Sequence, residues 1–190
     1  KITNLMQSKI QSIAGDASFR KFYRLTLNKN SKIIVLAEKE KYKNLIVYSA
    51  INRFLRENKI FAPKVFMHDY TKGIMIMEDF GDLTFHKILL RKRNKLPVYK
   101  KLVDLLIKIQ EIKPKKKLKT ILTKPHVVDK YTIKYLHQES DLFFDWYLPL
   151  FFNHKKVSNM KSKIKKILSK LYMQLNFPNT CFVHRDFHVS

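Results

Sequence analysis

The hydrophobic periodicity of this chain changes near Gly81, and that change constrains the fold more than any single motif. Up to about residue 80 the apolar residues tend to alternate, as they do in strands with one buried face. Beyond it they recur every three or four residues, as in amphipathic helices. Lys21 to Leu27 (KFYRLTL) sets Tyr23, Leu25 and Leu27 on one side, and Lys32 to Ala37 is a second expected strand. Between them, Asn28-Lys29-Asn30-Ser31 carries the residues a hairpin turn favours. Tyr42 to Asn58 lacks Gly and Pro and puts Leu45, Tyr48, Asn52 and Leu55 on one stripe, which predicts a helix. Pro63 ends that pattern. KVFMHD (64–69) and GIMIME (73–78) then predict another strand pair around a turn ending at Gly73.

After Gly81, Tyr99 to Ile112 carries Leu102, Leu105, Leu106 and Ile109 at helical spacing, and Pro114 with its Lys run marks a break. The aromatic-rich stretch Val127 to Phe152 predicts one or two helices interrupted near Pro149. Ser158 is expected to cap a helix whose inner face is Met160, Ile164, Ile167, Leu168 and Leu171. The final segment, CFVHRDFHVS, begins as a short apolar strand and turns abruptly polar. The expected fold is α+β, with a strand-rich lobe over 1–80 and a helical lobe over 81–190, the second beginning where the connector MEDFGD ends.

Composition narrows the class. A chain of 190 residues fits one ordinary domain or two small lobes, and 45% hydrophobic with 28% charged residues is a globular balance. Unbroken apolar stretches reach about five residues, as in Ile33 to Ala37, far short of the ~20 a membrane span needs. The opening KITNLMQSKI has no long apolar core of a secretory signal, and a lone Cys181 fits a reducing compartment, so a cytoplasmic location is expected. The formal net charge of +24 invites a nucleic-acid reading, but 32 of the 39 basic residues are Lys, a generic point charge, rather than the forked Arg of specific recognition. The runs RKRNK (91–95), KPKKKLK (113–119) and the Lys-rich 155–170 are read first as a solvated surface and second as a polyanion-binding face.

Three stretches carry chemistry. In GDASFRKFYR (15–24), Gly15 and Ala17 are small, Ser18 offers a hydroxyl and backbone N–H groups for phosphate oxygens, and Arg20 or Lys21 adds positive charge. The plain alternative is a polar turn before a strand. In IIVLAEKEK (33–41), alternation puts Lys39 on the side of Ala37, Val35 and Ile33, making it the candidate to pair with phosphates, with Lys41 as the alternative. The helix that follows has no Glu before Glu57 to hold such a Lys. In HRDFHVS (184–190), Asp186 can accept a proton from an attacking hydroxyl while His184 or Arg185 orients it or balances its charge. The plain alternative there is a charged loop in which Arg185 and Asp186 pair.

The order GDASFRKFYR, then APKVFMHDYTKGIMIMEDFGD, then FVHRDFH resembles the aminoglycoside phosphotransferase and choline kinase superfamily of protein-kinase-like enzymes. Within it, the chain resembles the bacterial branch of anomeric N-acetylmuramate and N-acetylglucosamine kinases of cell-wall recycling. The resemblance implies a two-lobed fold with a nucleotide-binding small lobe, ATP and Mg²⁺ as cofactors, and a small-molecule hydroxyl, most plausibly of an amino sugar, as acceptor. It makes Asp186 the catalytic Asp, His184 a structural support of the loop, Ser18 and its neighbours the phosphate cover, and Met77, Glu78 and Asp79 the connector whose backbone meets the adenine. Glu139, Asp145 and Trp146 fall in the branch's large-lobe insert, as sugar-pocket residues or as an ordinary packed helix with surface acids.

The family pattern H-x-D-x-x-x-x-N places its Asn one position past Ser190, and a further Asp that holds the metal would also follow. The chain is therefore expected to be a piece of a longer protein, with no metal ligand of its own and no efficient phosphate transfer. A protein Ser/Thr kinase shares H-R-D but has no counterpart of His188, and no GxGxxG is present. A basic nucleic-acid binder would show affinity that falls steeply with salt and ignores ATP and Asp186. Both stand behind the small-molecule kinase, and no membrane partner is expected.

Overall fold

The computed structural model describes residues 8–13, 19–28, 30–38 and 43–189. The elements run β1 (Ser8–Ile13), β2 (Lys21–Leu27), β3 (Asn30–Leu36), α1 (Lys43–Glu57), β4 (Val65–Asp69) and β5 (Ile74–Glu78). They continue with α2 (Phe85–Arg91), α3 (Leu96–Gln110), β6 (Lys117–Leu118), β7 (His126–Val127), α4 (Ile133–Leu142) and α5 (His154–Met173). The chain is α+β, and its described residues divide into two compact units. One unit takes the chain up to Val128 together with the segment from His184; the other is Asp129–Val183.

The first unit is built on a five-stranded antiparallel sheet in the order β1-β2-β3-β5-β4. Its register follows from which side chains must be buried. Phe22 pairs with Val35, Ile33 with Met77, and Val35 with Met75, so one face gathers the apolar residues that α1 covers with Leu45 and Ile46. Val35, Leu45 and Met75 are essentially inaccessible, and a buried Val, Leu or Met side chain contributes about 1.5–3 kcal/mol relative to its exposed state. Asn52, the one buried polar residue among those described, satisfies its amide by donating to the Pro63 carbonyl at 2.8 Å.

Two turns show why particular residues stand where they do. Asn28, after β2, has φ +56°, a conformation Asn tolerates better than branched residues do. Gly73, before β5, has φ +67°, and its carbonyl accepts the Ala37 amide at 2.8 Å. A Cβ at Gly73 would overlap the Ala37 carbonyl oxygen, so position 73 must be glycine on both conformational and steric grounds.

The second unit packs α4 and a following π turn (Phe143–Tyr147) and 3₁₀ turn (Leu148–Leu150) against α5. Phe144, Leu148 and Val157 are its buried centre, flanked by Phe152, Met160, Ile164 and Leu168. Several sequence expectations change here. The cap of α5 is Asn153, whose side chain accepts the Lys156 amide, and Ser158 lies inside the helix. Starting a turn earlier brings Val157 into the core, while Ile167 and Leu171, expected on the inner face, are exposed. Helical geometry breaks at Phe143, ahead of Pro149. The strand expected at 181–183 does not form; the segment is irregular. Four elements were not anticipated: β1, an edge strand with little apolar alternation, the short β6–β7 pair, and the short α2, capped by the Thr84 hydroxyl accepting the Lys87 amide.

Candidate functional site

The connector after β5 is held by a dense set of polar contacts. Strand alternation carries Asp79 onto the face of Met77 and Ile33, and places Arg24 of β2 on that same face, beside Ile33 in the register. Across the intervening β3, the Arg24 guanidinium reaches two carboxylates at once. Nε donates to Asp79 Oδ2 at 2.6 Å and Nη2 to Asp79 Oδ1 at 3.2 Å. Nη1 and Nη2 donate to Asp82 Oδ2 and Oδ1 at 2.9 and 2.8 Å. Two forks on one guanidinium are a geometry that an ammonium group cannot reproduce.

The Asp79 side chain is only 3% exposed, Arg24 is 21% exposed and Asp82 is 67% exposed. Burial pushes the Asp79 carboxyl up, but hydrogen bonds from Arg24, the Gly81 amide and the Ser31 hydroxyl outweigh it and leave the group below its ordinary range. Asp82 is held down chiefly by Arg24, and the guanidinium is correspondingly harder to deprotonate because of its bonds to Asp82 and Asp79. Asp79 Oδ1 also accepts the Gly81 N–H at 2.8 Å, which closes the turn of the connector on itself. Gly81 has φ +75° and open space where a side chain would stand.

The other connector residues have separate tasks. Met77 is a ladder residue, opposite Ile33 and Val65, with its side chain against the core. Glu78 donates its amide to the Lys64 carbonyl at 2.8 Å and accepts the Lys64 amide on Oε2 at 2.9 Å. Its side chain is thus committed to the neighbouring strand end, and the backbone departs from the ladder from Asp79 onward. Phe80 stacks on Phe61 with ring centres 4.7 Å apart.

Arg20 sits in the bend before β2, its guanidinium carbon 5.4 Å from the Phe19 ring centre, and its charge acts on Tyr48 of α1, whose phenol burial pushes up. Gly15, Ser18 and Lys39, with the alternative Lys41, lie outside the described residues. In the terminal segment, Asp186 is 88% exposed and its Oδ1 stands 3.8 Å from His188 Nε2, an electrostatic contact longer than a hydrogen bond. Arg185 has φ +70°, a left-handed setting that is uncommon for a residue with a Cβ, and it turns the backbone between His184 and Asp186. His184 packs edge-on to Phe187, and the Val189 carbonyl accepts the His86 amide of α2 at 2.8 Å, which anchors the loop.

Among the described residues no group of three or more His, Cys, Asp or Glu is arranged to hold a metal ion. Among them, too, no helix is long and apolar enough to cross a membrane. In the second unit, Glu139 accepts the Tyr131 hydroxyl at 3.1 Å, Asp145 accepts Lys161 Nζ at 2.6 Å, and Trp146 is 75% exposed. Asp141 bonds Lys165 Nζ at 2.7 and 2.9 Å, and that bond first, then both lysines' charges, overcomes burial and lowers its carboxyl.

Two distant relatives carry one name. An N-acetylmuramate/N-acetylglucosamine kinase of Neisseria meningitidis serogroup B is 19% identical over 176 residues, 93% of this chain and 50% of that protein. A protein of the same name from Pseudomonas aeruginosa is 22% identical over 174 residues, 92% of this chain and 48% of its own length. The chain therefore spans about half the length of the curated relatives it matches. No protein-family model matches it.

Sequence reasoning missed the role of Arg24 and Asp82, although both stand inside motifs it had marked: Arg24 closes GDASFRKFYR and Asp82 closes MEDFGD. The available signal was the residue type. In a chain that uses Lys for 32 of its 39 basic residues, an Arg within an apolar strand and a pair of Asp in a short connector are a matched fork and two planar acceptors.

Proposed function

We propose that this chain belongs to an ATP- and Mg²⁺-dependent phosphotransferase that phosphorylates a hydroxyl of a small molecule, an amino sugar of the N-acetylmuramate or N-acetylglucosamine type. The observation that carries the reading is the similarity, along more than nine-tenths of the chain, to two proteins named as kinases of those sugars. The five-stranded antiparallel sheet with α1 between its third and fourth strands supports a kinase-like small lobe, in which a Lys leaving the third strand is the phosphate-pairing group. On this reading the fold is two-lobed, with 1–80 as the nucleotide lobe and 81–190 as part of the helical lobe, and the enzyme is cytoplasmic.

Each residue then has a task. Asp186, accessible in its loop, would orient the sugar hydroxyl and take its proton as the oxygen attacks the γ-phosphorus and ADP leaves. His184 would hold the loop through its packing on Phe187, and Arg185 would set the turn that presents Asp186. Gly15, Ser18, Arg20 and Lys39 would meet the phosphates. The connector from Met77 and Glu78 to Gly81 would meet the base through its backbone, beside the open space at Gly81.

The test is ADP release with Mg²⁺, from the chain and from the chain extended by any coding sequence that continues it. The acceptors are N-acetylmuramate, N-acetylglucosamine, choline, an aminoglycoside and a protein substrate, each repeated with Asp186→Asn. Amino-sugar-dependent turnover that collapses in the variant is expected. Turnover with a different acceptor would discard the sugar assignment, and salt-sensitive RNA binding without turnover would discard the enzyme.

A further inference from the structure

We infer that Arg24 is a positioning residue for the nucleotide base: by clamping Asp79 and Asp82 across β3, it fixes the orientation of the connector backbone that would read the purine. The inference rests on the nucleotide-binding reading above and names a residue that reading does not use.

The geometry makes the connector a strap tied at both ends. At its start, Glu78 is joined to the Lys64 backbone through its amide and its carboxylate. On either side of the turn, Asp79 and Asp82 are held by the four bonds from Arg24. Between the two held carboxylates lie Phe80 and Gly81, and Asp79 Oδ1 accepts the Gly81 amide at 2.8 Å. Arg24 therefore acts through Asp79 on the peptide plane at Gly81, without touching the open space beside it. Charge-assisted forks are directional, so they fix the rotation of the carboxylate as well as its distance. Ser31, on the strand being crossed, bonds the same carboxylate and narrows its freedom further.

A backbone that recognises a base does so by the direction of its N–H and C=O groups, so a loosened connector weakens contacts to the purine. A triphosphate without a base has no such contacts. Two carboxylates more than neutralise the guanidinium and leave the trio with a net negative charge, so Arg24 offers no positive charge to an anion. The device thus separates base recognition from phosphate binding.

Calorimetric titration of the chain with ATP, GTP and inorganic tripolyphosphate at one fixed ionic strength tests it, using Arg24→Met, Arg24→Lys and Asp82→Asn. Arg24→Lys keeps the charge and removes the fork; Asp82→Asn changes an exposed group and keeps the fold if Arg24→Met does not. ATP affinity is expected to fall about tenfold in both Arg24 variants, the equivalent of one lost base hydrogen bond, and less in Asp82→Asn. Tripolyphosphate affinity is expected to hold, and the preference for ATP over GTP to shrink. Hydrogen exchange at the Gly81 amide is expected to quicken in Arg24→Lys.

Equal losses for ATP and tripolyphosphate would show that Arg24 acts by charge or by general stability, and would overturn the inference. So would unchanged ATP binding in the variants, or unchanged Gly81 exchange. If the wild-type chain binds tripolyphosphate and ATP alike and shows no purine preference, or binds neither, the nucleotide reading fails first. Faster Gly81 exchange in Arg24→Lys would then still record a clamp, with no base to position.

Discussion

The two units of this protein use ion pairs in opposite ways. In the sheet unit, Arg24 meets Asp79 and Asp82 across 55 and 58 positions of sequence, with a guanidinium forked on both and one carboxylate almost wholly buried. In the helical unit, Lys161 and Lys165 meet Asp145 and Asp141 across 16 and 24 positions, on a face where every partner keeps more than a quarter of its surface exposed. Exposed Lys–carboxylate pairs are worth about 0–1 kcal/mol, because water screens them and two flexible chains must be ordered. A forked pair with a desolvated member is a geometric constraint, and removing one side leaves a charge with nowhere to go. The sheet unit is therefore specified by long-range contacts that tolerate little change, and the helical unit by an apolar stripe with interchangeable charges around it.

Gly73→Ala should break the sheet unit most severely. The added Cβ meets the Ala37 carbonyl in a left-handed backbone, and the Ala37–Gly73 hydrogen bond must lengthen to relieve it. A loss of about 3 kcal/mol in urea unfolding is expected. A loss below about 1 kcal/mol would mean the turn can be remade and is not specified by position 73.

Asp79→Ala comes next, at about 2–3 kcal/mol, at or just below the roughly 3–5 kcal/mol for unpairing a buried charge because Asp82 still holds Arg24. The matching change in the helical unit, Lys165→Met, should cost under about 1 kcal/mol by the same measurement. If the two losses are equal, the contrast between the units is wrong.

A smaller effect sharpens the comparison through pH. Arg24 lowers the Asp79 and Asp82 carboxyls in the folded protein. Groups with depressed folded values stabilise fully above their unfolded pKa of about 4, and that stabilisation is lost as pH falls through the folded values. The stability gap between wild type and Arg24→Met should thus be widest near neutrality and close as pH falls below about 4. A gap that is constant from neutral to acid pH would assign the loss to packing of the Arg24 stem instead.

The strands and helices with strong apolar periodicity could be read from the sequence. β2, β4, β5, α1 and α3 form within a few residues of their expected positions, because burial of one face overrides weaker local preferences. β1 could not be read in this way, since Ser8-Lys9-Ile10-Gln11-Ser12 is mostly exposed at a sheet edge and is defined by its hydrogen bonds to β2. The start of α5 was ambiguous because Asn153 and Ser158 are both able caps, and the choice falls to the one that lets Val157 pack.

The site was legible as motifs and illegible as geometry. Arg24 and the two Asp of the connector are visible in the sequence, but only the order β2-β3-β5 brings them within reach. Asp186 stands out in H-R-D, yet neither the left-handed turn at Arg185 nor the tie from His86 to Val189 has a signature in residue type.

The most direct test of the account is phosphorus NMR of ATP, Mg²⁺ and N-acetylglucosamine or N-acetylmuramate with the chain, alone and extended by any coding sequence that continues it. The account predicts a sugar phosphate signal that grows as ADP accumulates and is absent with Asp186→Asn. ATP that stays intact with both sugars, or a phosphorylated product that forms equally well with Asp186→Asn, would contradict it.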